Sequence, residues 1–143
     1  MKKLLVGFLS LLSLSSFAFD GVVDKLSAKG ILCSYEEYLR DSAYQAFRKE
    51  PQNQELKNEL NRTQRLSSKC LAKAEKAADL AKTCQEAIDN IADVGSLCSA
   101  ENIASDIAFF LVKNNSSQGN RDLLSGAQRA SSLCVAKAYD VCK

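Results

Sequence analysis

The segment Ser67-Ser-Lys-Cys-Leu-Ala-Lys-Ala74 recurs, with two substitutions, as Ser131-Ser-Leu-Cys-Val-Ala-Lys-Ala138. Upstream of these copies, Gly30-Ile-Leu-Cys-Ser34 is matched by Gly95-Ser-Leu-Cys-Ser99. The two cysteines are therefore 37 residues apart in the first half and 36 apart in the second. Because cysteines, glycines and the intervening loop all stay in register, the sequence indicates the duplication of one unit.

Each unit has the apolar spacing of helices. Apolar residues recur at every third or fourth position, which is the spacing of one helix face. In the first helix of each unit they are Leu32, Tyr35, Leu39, Ala43 and Ala46, matched by Leu97, Ala100, Ala104, Ala108 and Leu111. A second helix follows in each unit, and strand signals are weak throughout. The sequence therefore predicts two tandem helical hairpins.

Residues at the ends of these helices have typical capping roles. Ser34 and Glu37 have the spacing of a capping box, in which the serine accepts from a free backbone N–H and the glutamate bonds back. Ser99 is expected to cap its own helix in the same way. Gly30 and Gly95 fit the left-handed residue that ends a preceding short helix.

The hairpin geometry predicts how the six cysteines pair. The midpoint of the first cysteine pair falls at Pro51, which fits a first helical turn, and that of the second falls in the polar turn at 115–117. Antiparallel helices joined at these turns place the two cysteines of each pair opposite one another. A rival bridge between Cys84 and Cys98 would leave Cys134 to pair with Cys142. These two cysteines would lie about 12 Å apart along one helix, which is too far for a disulfide. The predicted disulfides are Cys33–Cys70, Cys98–Cys134 and Cys84–Cys142.

The N-terminus has the features of a bacterial secretory signal peptide over residues 1–18. Lys2 and Lys3 precede a short apolar run, and small residues lead to a cleavage site before Phe19. An even cysteine count behind such a signal predicts disulfides in an oxidising compartment. The protein is therefore expected in the periplasm or among secreted proteins, with no transmembrane segment in the mature chain.

The remaining chain, residues 19–143, has the length of one domain. We expect an all-α fold in which the repeats 19–83 and 84–143 form two disulfide-clamped hairpins, packed as a four-helix bundle. A small, alanine-rich core of this kind needs the support of its disulfides.

Composition argues against several classes of function. The chain has 19 lysines and arginines and 17 acids, and the two counts become equal once Lys2 and Lys3 are removed with the signal. Binding to nucleic acid generally needs a basic excess, so it is not expected. With no histidine and no Cys-x-x-Cys pair, the sequence predicts no metal site, no cofactor and no histidine-based catalysis.

One row of charges is the best candidate for a binding face. It is the basic row Arg62, Arg65, Lys69, Lys73 and Lys76, which falls on one side of the second helix. Such a row can dock an acidic partner, an anionic glycan or a lipid headgroup. It can equally be a solvated helix face, or it can pair with the acidic run at 86–106.

Two further sets of residues have a structural and a functional interpretation. The repeat-matched carboxylates, Glu36 with Glu101 and Asp41 with Asp106, are expected to favour helix termini and not to catalyse. Aromatic residues on the first helix of each unit either form core or line a pocket for an apolar ligand. They are Tyr35, Tyr38, Tyr44, Phe47, Phe109 and Phe110.

The sequence thus favours a non-enzymatic module of the bacterial envelope that binds another envelope or secreted protein as an inhibitor, adaptor or accessory subunit. A carrier of a small apolar ligand is the alternative. A hydrolase that uses carboxylates alone comes third.

Overall fold

The computed structural model of the chain describes residues 17–143, with side chains from residue 21 onward. The predicted signal peptide lies almost wholly outside these residues and stays a prediction. The described part is all-α, as the sequence predicts, and ends in a 3-10 turn at Asp140–Cys142. Its helices are α1 (Phe17–Ala28), α2 (Ser34–Lys49), α3 (Gln54–Asp79), α4 (Cys84–Asp93), α5 (Ser99–Asn114) and α6 (Gln118–Tyr139).

Two helical hairpins dominate this architecture. Helix α2 packs along α3, and α5 packs along α6. A disulfide ties each hairpin near its open end: Cys33–Cys70 in the first and Cys98–Cys134 in the second, each with a Cα–Cα distance of 6.0 Å. Cys84–Cys142 is the third bridge. All six cysteines are paired as the hairpin geometry predicts.

The hydrophobic core lies at the disulfide end of the hairpins. Leu26 of α1 and Ile88 and Ile91 of α4 are fully buried there, against the alanine-rich last turns of α3. The lead-in helices α1 and α4 therefore supply much of the apolar volume. Toward the hairpin turns few side chains are buried, and Ala43 is the buried residue of α2. The far ends of the hairpins consequently keep much of their surface in water.

Two glycines end the lead-in helices as predicted. Gly30 and Gly95 have φ angles of 67° and 74°, a left-handed conformation that glycine adopts without steric cost. Ile31 N donates to Leu26 O five residues earlier, the bond that closes a Schellman motif. The sharp turn then directs the chain back over the core.

The two units meet where α2 and α5 begin. Leu32 and Leu97 form an antiparallel bridge, and each flanking cysteine donates across it: Cys33 N to Ser96 O at 2.7 Å and Cys98 N to Ile31 O at 2.8 Å. The bridge brings the equivalent segments of both repeats into direct contact.

Helix starts differ in two respects from the sequence interpretation. Pro51 lies in a turn before α3, and Asn53 caps that helix by accepting from the backbone N–H of Glu55 and Leu56. The capping box of Ser34 and Glu37 is absent as well. Cys33 is the N-cap, with a left-handed φ of 53°, and its side chain cannot cap because it is held in a disulfide.

Candidate interaction surface

The five residues of the basic row are all exposed on α3. Arg62 forms an ion pair with Glu59, at 2.6 Å between nitrogen and oxygen, and this hydrogen bond holds the pKa of Glu59 below its ordinary value. In the described part of the chain, no ion pair joins the row to the acidic run at 86–106. The binding role of the row stays a prediction.

The repeat-matched carboxylates Glu36 and Glu101 take part in an exchange of hydrogen bonds between the two repeats. Ser34 Oγ, at the start of α2, accepts from Ala100 N of α5 at 3.0 Å and donates to Glu101 at 3.2 Å. Ser99 Oγ, at the start of α5, accepts from Tyr35 N of α2 at 3.0 Å and donates to Glu36 at 2.8 Å.

Each serine therefore caps the helix of the other repeat, and not its own as the sequence interpretation expects. The two glutamates accept hydrogen bonds from the serine hydroxyls and so orient them for this capping. The second pair of repeat-matched carboxylates, Asp41 and Asp106, lies further along the helices and is exposed.

Two groups of potential metal ligands occur among the described residues. They are Cys33, Glu36 and Cys70 in the first repeat, and Cys98, Glu101 and Cys134 in the second. All four cysteines are in disulfides, whereas metal coordination by cysteine requires a thiolate. Neither group offers a metal site in the oxidised protein.

Most of the aromatic side chains point into water. Tyr38, Phe109 and Phe110 are each at least 60% exposed, and Tyr44 is half exposed. Phe47 is half-buried. These residues do not converge on an enclosed pocket between the hairpins.

The second hairpin exposes several large apolar side chains. Ile107 of α5 and Leu123 of α6 line one groove between the two helices, and Leu111 and Leu133 are further exposed apolar residues of the same helices. Ile107, Leu123 and Leu133 are each more than half exposed. Between the helices runs a shallow groove with a floor of small residues and Asp122 as its charged member. We call this surface the apolar face. It comprises Ile107, Leu111, Leu123 and Leu133 with the floor residues Ala104, Gly126 and Ala130.

The first hairpin provides an internal comparison for the apolar face. The repeat register places Ser42, Ala46, Glu59 and Lys69 at the positions of Ile107, Leu111, Leu123 and Leu133. A hairpin of the same architecture is therefore built without large apolar residues at those positions. Packing of α5 on α6 does not account for them.

The residues of the groove floor are small in the second hairpin, whereas the equivalent residues of the first hairpin are large. Ala104, Gly126 and Ala130 stand where the first hairpin has Leu39, Arg62 and Leu66. Leu39 and Leu66 are half-buried and larger than the residues at the equivalent positions of the second hairpin. A small floor between apolar rims is the shape that accepts side chains of another molecule.

Sequence reasoning missed the apolar face because it followed one helix face of α5, which includes Leu111 but not Ile107, and gave no role to Leu123 and Leu133. The signal that could have found it was the repeat alignment itself. Where one copy is polar and the other is apolar at the same structural position, core packing cannot require the apolar residue.

One exposed hydrogen bond makes the structure sensitive to alkaline pH. Tyr139 donates its hydroxyl hydrogen to Asp89, and this bond is the main reason why the pKa of Tyr139 lies above its ordinary value of 10.0. Desolvation of the hydroxyl is the second cause. The bond contributes stability below pH 10.0, and the contribution is lost as pH rises through the raised pKa.

We expect Asp89→Asn to move ionisation of Tyr139 to lower pH. Tyrosinate absorbance, with Tyr139→Phe identifying the signal, measures this, and an unchanged transition in Asp89→Asn would contradict it.

Comparison with known proteins does not place the chain in a family. No family model, no curated protein and no solved structure matches it. None of the described helices is both long and apolar enough to cross a membrane. Three disulfides are typical of proteins in oxidising compartments.

Proposed function

We propose that the protein is a non-enzymatic, exported interaction module of the bacterial envelope, located in the periplasm or secreted. Its contact surface is the apolar face of the second hairpin. The observation that carries this proposal is that three exposed apolar residues of the face, Ile107, Leu123 and Leu133, are polar or charged at the equivalent positions of the first hairpin. Exposed apolar surface of this kind marks sites of protein association.

The arrangement favours an interaction module over a carrier of small apolar ligands. A carrier encloses most of its ligand, whereas the groove here is shallow and Phe109 and Phe110 lie in water. It also favours a module over a hydrolase, because Glu36 and Glu101 are engaged by serines in capping.

The internal repeat supplies the variant that tests this function. Replacing the apolar face by its first-hairpin equivalents gives I107S/L111A/L123E/L133K. These positions are exposed or at the groove rim, so we expect the helical content and the disulfides to be retained. We expect recovery of the stoichiometric protein complex, measured by native mass spectrometry after gentle purification from the protein's own host, to fall at least about tenfold.

The matched control is F109Y/F110Q, which transfers first-hairpin residues to exposed positions outside the apolar face and should leave the complex intact. A complex that survives I107S/L111A/L123E/L133K unchanged would contradict the proposed surface. A stoichiometric small molecule in the place of a protein would favour the carrier.

A further inference from the structure

The exposed side of α6 is complementary to itself. Asp122, Gly126, Leu133 and Lys137 are all exposed, and at 3.6 residues per turn they lie within about 60° of one another. We call these four residues the α6 stripe. The acidic Asp122 lies at one end of the stripe and the basic Lys137 at the other. Between them, Gly126 has no side chain and leaves a notch in the surface, and Leu133 is a large apolar side chain.

Both complementary pairs in the stripe have the same midpoint. Positions 122 and 137 are centred between Arg129 and Ala130, and so are positions 126 and 133. A two-fold axis at this point sets α6 antiparallel to a second α6. It then places Leu133 of each copy at the Gly126 notch of the other, and Asp122 of each opposite Lys137. We infer that the apolar face is covered by a second copy of this chain, related by that axis.

Such an interface is closed, because each copy offers the same patch and no free complementary surface remains to extend the assembly. Charge supports the choice of occupant. Asp122 accepts a hydrogen bond from Gln118, and in the described part of the chain neither Asp122 nor Lys137 has an ion-pair partner. Arg129 lies at the edge of the stripe, where its long side chain keeps the guanidinium in water.

Helix α3 shows what the same stripe looks like when it cannot pair with itself. The equivalents of Gly126, Leu133 and Lys137 are Arg62, Lys69 and Lys73, which belong to the basic row. Two copies of α3 would bring like charges together and have no notch between them.

This inference rests on the proposed function, since it names the partner of the same apolar face. The test is sedimentation equilibrium of the oxidised protein, expressed from its full-length sequence, over a range of concentrations. We expect a monomer–dimer equilibrium. L133K, which transfers the first-hairpin residue, should weaken it by about a hundredfold.

Charge reversal distinguishes the α6 contact from other dimers. D122K alone should weaken association roughly tenfold, because two like-charge pairs replace two attractive ones. D122K/K137D should restore it, and this restoration also shows that the single variant had folded. The control K73D changes the charge of the α3 residue that is equivalent to Lys137, and it should leave the dimer unchanged.

Two results would overturn the inference: a monomer at every concentration, or a dimer that neither L133K nor D122K weakens. The proposed function is judged separately. If the protein is monomeric while I107S/L111A/L123E/L133K abolishes a complex with another envelope protein, the interaction surface stands and the second copy is not its occupant.

Discussion

Replacing Cys98 and Cys134 together by alanine is expected to lower the free energy of unfolding by about 3 kcal/mol. The bridge closes a segment with a sequence separation of 36 residues, for which loop-closure entropy alone gives about 4 kcal/mol. The Cys84–Cys142 bridge encloses this segment and already restricts it in the unfolded chain, which reduces the value. Total stabilities of single domains are about 5–15 kcal/mol, so this loss leaves a marginal protein. Urea unfolding of the oxidised variant, followed by circular dichroism, measures the loss.

The equivalent double replacement of Cys33 and Cys70 is the matched comparison. Its separation of 37 residues is nearly identical, but no other bridge encloses it, so chain entropy predicts a somewhat larger loss, about 4 kcal/mol. Both variants should also unfold with a steeper dependence on urea, since the uncrosslinked chain exposes more surface. A loss below about 1 kcal/mol in either variant would contradict this and assign the stability of that hairpin to packing alone.

Removing both capping serines, as S34A/S99A, is expected to cost about 3 kcal/mol, or about 1.5 kcal/mol for each serine. Each serine satisfies a backbone N–H of the opposite helix and also donates to a glutamate there. The loss therefore leaves a helix start and a carboxylate without their partners. Urea unfolding measures the free energy, and hydrogen exchange at the amides of Tyr35 and Ala100 reports the site directly.

The effect should be specific to the hydroxyl groups at the start of the two helices. S42A, at an exposed position of α2, serves as a control and should change the unfolding free energy by no more than about 0.5 kcal/mol. If S34A and S99A prove as mild as S42A, and the amides of Tyr35 and Ala100 exchange no faster, the exchanged caps do not contribute to stability.

Much of the fold could be predicted from the sequence because its signals are local or follow from simple geometry. Helical periodicity gave the hairpins, and the spacing of Cys33 and Cys70 about a turn fixed their pairing. Gly30 and Gly95 ended helices as expected, because the left-handed conformation is a property of a single residue.

The features that could not be predicted depend on contacts between distant segments. Ser34 and Glu37 have a local capping pattern, yet the N–H that Ser34 accepts belongs to Ala100, at a sequence separation of 66. Likewise, nothing within α5 distinguishes a buried Ile107 from an exposed one. That distinction depends on which helix covers the residue, and periodicity shows a face without showing what lies against it.

The exchange of serines between repeats has a consequence for the linkage of the two repeats in one chain. Neither repeat completes its own first helix, because the hydroxyl that caps α2 is supplied by the segment that begins α5, and the reverse. A chain with a single repeat would leave the N–H at this helix start to water, or would obtain the same cap from a second molecule of the same kind. Covalent linkage of the two repeats in one polypeptide thus keeps the two reciprocal caps together at any protein concentration.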